Sequence, residues 1–434
     1  MSPSVSAPPV SGVPIELAEL IDRLTARIKS GETPDLDAIV SDHPEYADEL
    51  RRLLPAMKLL ADLSRSGSVP SMADGDVPLG DLGDFRLIRE VGRGGMGVVY
   101  EAEQISLHRP VALKVLPFAA TMDPRHLQRF KNEALAAASL RHENIVHVYG
   151  VGCERGVHFY AMEFIEGQTL AQLIRRLRGP DDNPQPAMNE TAAYPAAHDA
   201  APTAPIAGLS TRHEFRGKAH YRRIAEMIAQ SADALEHAHS MGIVHRDVKP
   251  GNLLLDAAGK IYISDFGLAR LASPGGDAGG ELTMSGDLIG TLRYMSPEQA
   301  LARHGLVDHR TDIYSLGATL YELLTLRPAV AGDDKAEILK QIAWEEPTAL
   351  RKHDKSIPVE LETIALKALA KEPEGRYATA AEFSDDLRHW LGDRAIKAKP
   401  PGIRERGQVE ATAPEFCSGG SCYCFPKRGR LGSR

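Results

Sequence analysis

His245-Arg246-Asp247-Val248-Lys249-Pro250-Gly251-Asn252 is the stretch that decides the reading of this 434-residue chain. Thirteen residues beyond Asn252 stands Asp265-Phe266-Gly267. The two segments put two acids, a lysine and an amide into neighbouring loops. That set has a definite chemical capacity. One carboxylate orients an attacking hydroxyl. A second carboxylate and an amide offer Mg²⁺ hard oxygen ligands, and a cation offsets the charge on a migrating phosphoryl group.

Upstream, Phe85 to Val91 reads as a strand and runs into Gly92-Arg93-Gly94-Gly95-Met96-Gly97-Val98-Val99-Tyr100. Glycines at this spacing let the backbone bend and bring its amides close to phosphates. A dinucleotide-binding turn has the same spacing, but such a turn opens a helix. Val98 to Glu103 is strand-like, which favours a hairpin folded over a nucleotide. The next strand carries Val111-Ala112-Leu113-Lys114. An ammonium among apolar neighbours needs a counter-charge. Glu133 is the partner expected, on a helix running to about Leu140, with Glu101 and Glu103 as weaker alternatives. Ile145 to Gly150 and Val157 to Phe164 read as two more strands.

Together these motifs resemble those of a protein kinase, and more narrowly of the bacterial eukaryotic-type (Hanks-type) serine/threonine protein kinases, over about 300 residues. The resemblance implies an α+β, two-lobed protein-kinase fold. Its N-lobe is an antiparallel sheet plus one helix, its C-lobe is mainly helical, and a small N-terminal helical segment precedes both. It implies ATP with Mg²⁺, Mn²⁺ being the alternative ion. Asp247 then orients the substrate hydroxyl, Lys249 contacts the γ-phosphate, and Asn252 and Asp265 ligate the metal. Lys114, paired with Glu133, touches the α- and β-phosphates. Gly92, Arg93, Gly94, Gly95, Met96 and Gly97 cover the nucleotide. Val99, Ala112 and Leu254 sandwich the adenine, Met162 stands behind it, and Glu163 and Phe164 begin the hinge. His245 is expected to support the Asp-Phe-Gly turn. Thr283 and Ser285 lie where related kinases carry paired phosphosites, and Arg246 is the cation a phosphate there would meet. Thr291 is expected in a substrate-facing loop near Asp247 and Lys249. Tyr294-Met295-Ser296-Pro297-Glu298 resembles the Ala-Pro-Glu end of the activation segment, with Ser296 in place of Ala. Arg376 is the expected partner of Glu298, and Asp312 is expected to hold the catalytic-loop backbone.

The domain expectations follow the texture of the chain. Residues 1–14 are Pro/Ser-rich and read as disordered. Residues 15–64 form a small helical module, with Leu17, Leu20, Ile21, Leu24 and Ile28, then Leu50, Leu53, Leu54, Leu59 and Leu60, at helical spacings. So short a module buries only a thin core and is expected to dock or dimerise. Residues 65–84 read as a linker and 85–391 as the kinase domain, with lobes 85–164 and 165–391. A disordered insertion of about 179–218 carries six prolines. Residues 392–434 read as a disordered tail, whose Cys417, Cys422 and Cys424 are one ligand short of a usual structural zinc site.

Composition sets the remaining bounds. A net charge of −8 gives no support for nucleic-acid binding. No apolar run has membrane-spanning length; Ile313 to Ala331 contains Glu322 and Arg327 and reads as a buried helix. Four cysteines make no disulfide framework, so the cytoplasm is the expected compartment. The partners expected are proteins with Ser/Thr hydroxyls, and a homodimer for autophosphorylation in trans. Two alternatives stay open: a catalytically weak pseudokinase scaffold, and a small-molecule phosphotransferase of the same fold.

Overall fold

The computed structural model describes residues 39, 43–46, 80–94, 97–116, 124–154, 156–178, 217–266, 287–301, 307–332 and 334–399. The expected module at 15–64 lies outside them, apart from Ile39 and a short 3-10 turn at Pro44–Tyr46. Gly95, Met96, Thr283, Ser285, residues 179–216 of the insertion and the tail beyond 399 also lie outside them.

The first lobe is a six-stranded antiparallel sheet with one helix on it. Its strands are β1 (Gly80–Leu82), β2 (Phe85–Gly94), β3 (Gly97–Gln104), β4 (Arg109–Val115), β5 (Val148–Glu154) and β6 (Val157–Glu163). Their spatial order is β1-β2-β3-β4-β6-β5. The sheet curls, because Phe85 on β2 meets Phe159 on β6 edge to face at 5.4 Å. Helix α1 (Pro124–Ser139) turns Phe130, Glu133, Ala134 and Ala137 inward at spacings of three and four.

The second lobe is helical. Its elements begin with β7 (Gly167–Thr169), α2 (Leu170–Arg178), α3 (Lys218–Ser240), β8 (Leu253–Asp256) and β9 (Ile261–Ile263). Strands β7, β8 and β9 form a small antiparallel sheet. There follow α4 (Asp287–Leu292), α5 (Pro297–Ala300), α6 (Arg310–Thr325), α7 (Lys335–Trp344), α8 (Leu350–His353), α9 (Val359–Ala368) and α10 (Ala380–Leu391). Helix α6 is buried on every side from Thr311 to Leu324. That explains its near-membrane composition: a helix apolar all round belongs in a core.

Four expectations need correction. Gly80–Leu82, assigned to the linker, is a strand paired with β2, and Leu82 is fully buried. The strand expected at Ile145 to Gly150 starts later, at Val148. Ile145 instead makes an isolated parallel bridge to Ile263. Thr291, expected in a loop, lies in α4. Residues 392–399, expected as the start of a disordered tail, fold back. Ala398 is buried, and the Lys397 and Ala398 backbone N–H groups donate to the buried Asp386 carboxylate at 2.7 and 2.9 Å. A buried carboxylate needs such donors.

Candidate active site

Lys114 ends the apolar run of β4, one residue before Val115, and its side chain is almost wholly buried. Its Nζ lies 2.7 Å from Glu133 Oε1 on α1 and 2.6 Å from Asp265 Oδ1. Burial alone would favour the neutral amine, but the Asp265 and Glu133 carboxylates outweigh it and hold the Lys114 pKa well above the ordinary lysine value. Burial likewise opposes the Asp265 charge, and Lys114 overcomes it, leaving that carboxyl below its usual range. The alternatives to Glu133 are engaged elsewhere: Glu101 pairs with Arg89 at 2.6 Å and Glu103 with Arg86 at 3.1 Å.

Sequence reasoning missed one member of this cluster. The Tyr160 hydroxyl donates to Glu133 Oε1 at 2.7 Å. Tyr160 stands opposite Lys114 in the β4–β6 register, so both side chains share the face that α1 covers. Strands β4 and β6 are neighbours in the sheet but not consecutive in the chain, so no local pattern marks this pairing.

The second cluster is the loop before β8. Lys249 Nζ lies 3.0 Å from Asp247 Oδ2 and donates to Thr291 Oγ1 at 3.1 Å. Asn252 donates through Nδ2 to the Asp247 carbonyl at 2.8 Å and to its Oδ2 at 3.1 Å. The amide oxygen of Asn252 is then the end left for a cation.

Both loops hold a non-glycine residue in the left-handed region: Arg246 at φ 66° and Asp265 at φ 59°. That conformation costs free energy, and neighbours must fix it. For Arg246 the fixing group is Asp312, which is fully buried at the start of α6. Its Oδ1 accepts from Arg246 N at 2.7 Å, and its Oδ2 accepts from His245 N at 2.8 Å and contacts His239 Nε2 at 2.8 Å. Burial would raise the Asp312 pKa; His239 and the backbone donors hold it below the usual carboxylate value. His239 and Gln299, whose Nε2 donates to the Arg246 carbonyl at 2.9 Å, were not foreseen. For Asp265 the support comes from His245, whose Nε2 sits 3.0 Å from the Ser264 carbonyl and whose ring lies 4.5 Å from that of Phe266.

The two lobes are tied beside this point. Val146 N donates to the Ile263 carbonyl at 2.9 Å, and Ile263 N to the Asn144 carbonyl at 2.8 Å. These bonds set where β9 ends and therefore where Asp265 starts.

The remaining predicted residues line the same region. Gly92, Arg93, Gly94 and Gly97 form the β2–β3 hairpin. Gly97 has φ 151°, and a Cβ there would come 2.6 Å from the Val115 carbonyl oxygen, so only glycine fits. Arg93 is exposed and pairs with Glu90 at 2.6 Å. Val99, Ala112, Met162 and Leu254 are buried in one apolar core. Glu163 and Phe164 are half-buried where β6 ends, and Glu163 N donates to the His147 carbonyl at 2.8 Å. At the end of the segment, Glu298 and Arg376 make a buried bidentate pair, both contacts at 2.7 Å.

The donor set fits a nucleotide with a divalent cation: hard oxygens on Asn252 and Asp265, an ammonium on Lys114, and a glycine hairpin with room for no other side chain at Gly97. Among known proteins, the family model for protein tyrosine and serine/threonine kinases matches residues 85–384. The chain belongs to the protein kinase family. It is 36% identical over 333 residues to serine/threonine-protein kinase PrkC of Bacillus subtilis, covering 76% of this chain and 44% of that protein. It is 36% identical over 307 residues to serine/threonine-protein kinase PknB of Mycobacterium tuberculosis, covering 70% of this chain and 42% of that protein. The chain thus spans less than half the length of these curated relatives. The crystal structure of the M. tuberculosis PknI kinase domain superposes with a TM-score of 0.48 at 24% identity, covering 73% of this chain and 99% of that one. In this chain the Lys114–Glu133 pair joins a strand to a helix, and Asp247 lies in the loop before β8.

Proposed function

We propose that this chain is a serine/threonine protein kinase that moves the γ-phosphoryl group of Mg-bound ATP onto protein hydroxyls. The observation that carries the reading is the linked set Asp247–Lys249–Thr291–Asn252, within reach of a peptide-docking segment that ends at Glu298. Bound MgATP supplies the phosphoryl group and the metal's positive charge. Asp247 accepts the hydrogen bond of the incoming hydroxyl and aims its oxygen at phosphorus. Lys249, held between Asp247 and Thr291, offsets the charge on the phosphoryl oxygens as the bond to the bridging oxygen breaks. Asn252 and Asp265 would hold the metal through their side-chain oxygens. Lys114 orients the α- and β-phosphates. Val99, Ala112, Met162 and Leu254 enclose the base, and the backbone at Glu163 and Phe164 meets its edge.

Activation follows from the charge near the catalytic loop. A phosphate on Thr283 or Ser285 would pair with Arg246 and fix the segment between Asp265 and Glu298. Transfer between two copies of the chain is the route we favour for placing it. ATP supply and cysteine usage support a cytoplasmic setting, and no helix among the described residues is long and apolar enough to cross a membrane. A pseudokinase scaffold is the rival reading; Lys114, Asp247 and Asp265 all being present argues against it.

Wild type, Lys114→Ala and Asp247→Asn are incubated with ATP and Mg²⁺ and phosphates are mapped by mass spectrometry. Phosphate on Thr283 or Ser285 in wild type alone is the expected result. Asp247→Asn should retain nucleotide binding and lose about 10²-fold or more of the transfer rate. Equal turnover in Asp247→Asn would overturn the assignment of that residue, and nucleotide binding without any transfer in wild type would favour the scaffold.

A further inference from the structure

Arg246, the residue before Asp247, is held at both its backbone N–H and its carbonyl. Its φ of 66° is left-handed backbone, which a non-glycine residue keeps only where neighbours enforce it. On the amide side the enforcing group is the Asp312 carboxylate, 2.7 Å from Arg246 N. On the carbonyl side it is Gln299, whose Nε2 donates to the Arg246 oxygen at 2.9 Å. The two clamps come from different elements. Asp312 stands at the start of α6, whereas Gln299 stands in α5, next to Glu298.

Gln299 has an ordinary structural use as well. It is the third residue of α5, and its Oε1 accepts from the backbone N–H of Ser296, the N-cap, at 3.1 Å. That is half of a capping box, a task that glutamate performs as well as glutamine. Only the amide has a nitrogen left over to donate. Capping turns the oxygen towards Ser296 and so leaves Nε2 facing the Arg246 carbonyl. One contact thus fixes the direction of the other. The place of α5 is itself fixed next door, where Arg376 and Thr311 both donate to Glu298. A shift of α5 would be felt at Arg246, and Asp247 is the next residue along.

We propose that Gln299 is a positioning residue: it ties the Arg246 carbonyl, and through it the direction of Asp247, to α5, so that the catalytic loop is set only when the end of the activation segment is seated. This role rests on the reading of Asp247 as the group that orients the incoming hydroxyl.

Two variants separate the donor from the cap. Gln299→Glu keeps the cap and sets an acceptor against the Arg246 carbonyl; Gln299→Met removes both contacts. Amide hydrogen exchange of the full chain is compared in wild type and both variants, without nucleotide. Exchange over residues 245–247 should rise about tenfold in each variant while α6 keeps its wild-type rate. The short helix α5 should loosen only in Gln299→Met. The second readout is transfer from MgATP to a synthetic peptide of residues 279–289, which contains Thr283 and Ser285. In Gln299→Glu, kcat should fall about ten- to a hundredfold with the KM for ATP within about twofold of wild type, because the groups assigned to the nucleotide are untouched. Wild-type exchange at 245–247 in Gln299→Glu overturns the proposal, as does an unchanged kcat. A rise in exchange that spreads evenly through α5 and α6 overturns it too, and makes Gln299 a packing residue. Should wild type transfer no phosphate at all, the kinase reading fails, and the exchange difference alone still upholds or overturns the link from Gln299 to the loop.

Discussion

Arg376 and Glu298 are 78 positions apart and share two hydrogen bonds in a site from which water is excluded. Thr311 adds a third, from its hydroxyl to Glu298 Oε1 at 2.7 Å. Removing one partner strands the other charge, so Arg376→Met should cost about 3–5 kcal/mol in a denaturant titration. A loss within error of zero would mean that the pocket admits water. The pair also has a pH signature. Burial pushes the Glu298 carboxyl up, but Arg376 outweighs it and the folded pKa lies below the ordinary 4.5. A depressed acid contributes its stability above the unfolded pKa and loses it as the pH falls through the folded one. The melting temperatures of wild type and Glu298→Gln should therefore differ most at neutral pH and converge below about pH 4.5. A constant gap down to pH 3 would show that the carboxylate is not the group responsible. At this scale the sequence was legible wherever a motif marked the residue: Lys114, Glu133, Asp312 and the Glu298–Arg376 pair all meet the partners expected of them. Tyr160, His239 and Gln299 were not legible. Each serves the site through a partner distant in sequence, and an isolated Tyr, His or Gln in an apolar context carries no local mark.

Elements were legible in proportion to their length. The long helix α6 showed as an apolar run: a buried helix was expected over Ile313 to Ala331, and Arg310–Thr325 is observed. Strands β1, β7 and β9 are three residues each, too short for alternation to register. Strand β7 is placed by steric fit instead. A Cβ on Gly167 would come 2.1 Å from the Leu255 carbonyl oxygen and 2.8 Å from its carbon. Backbone cannot yield as a side-chain end does, so Gly167→Ala should lower stability by about 1–3 kcal/mol. Calorimetry giving an unchanged midpoint would mean that β7 and β8 separate easily. β8 leads directly out of the catalytic loop, so the same variant should also lower the transfer rate.

On the scale of the whole molecule, one apolar core runs from Val91 and Val99 through Met162 and Leu254 to α6 and α10. The lobes are therefore not independent beads; they share packing and the bonds at Val146 and Ile263. A ligand bound between them stabilises both. MgATP at about a hundred times its Kd should add about 2.7 kcal/mol, read as a raised melting temperature. Lys114→Ala should show a much smaller increment, measured against its own nucleotide-free baseline, since losing Lys114 leaves Glu133 and Asp265 without their counter-charge. Equal increments in the two proteins would remove Lys114 from the binding site. The two-lobed plan was legible because the motifs follow one another in a fixed order along the chain. What joins the lobes was not, because Ile145–Ile263 and Val146–Ile263 are backbone contacts that no side-chain pattern announces.

The 2.6 Å contact between Lys114 and Asp265 has a consequence for any titration of this protein. The chain carries its own competitor. On the proposed reading, Lys114 is the ammonium that meets phosphate and Asp265 the carboxylate that meets the metal. A metal–nucleotide complex then competes with this intramolecular bond. Metal and nucleotide become coupled ligands: each loosens the hold on the other's seat, so either alone should bind more weakly than its contacts would suggest. The observed affinity is the intrinsic one multiplied by the fraction of molecules in which the pair stands open.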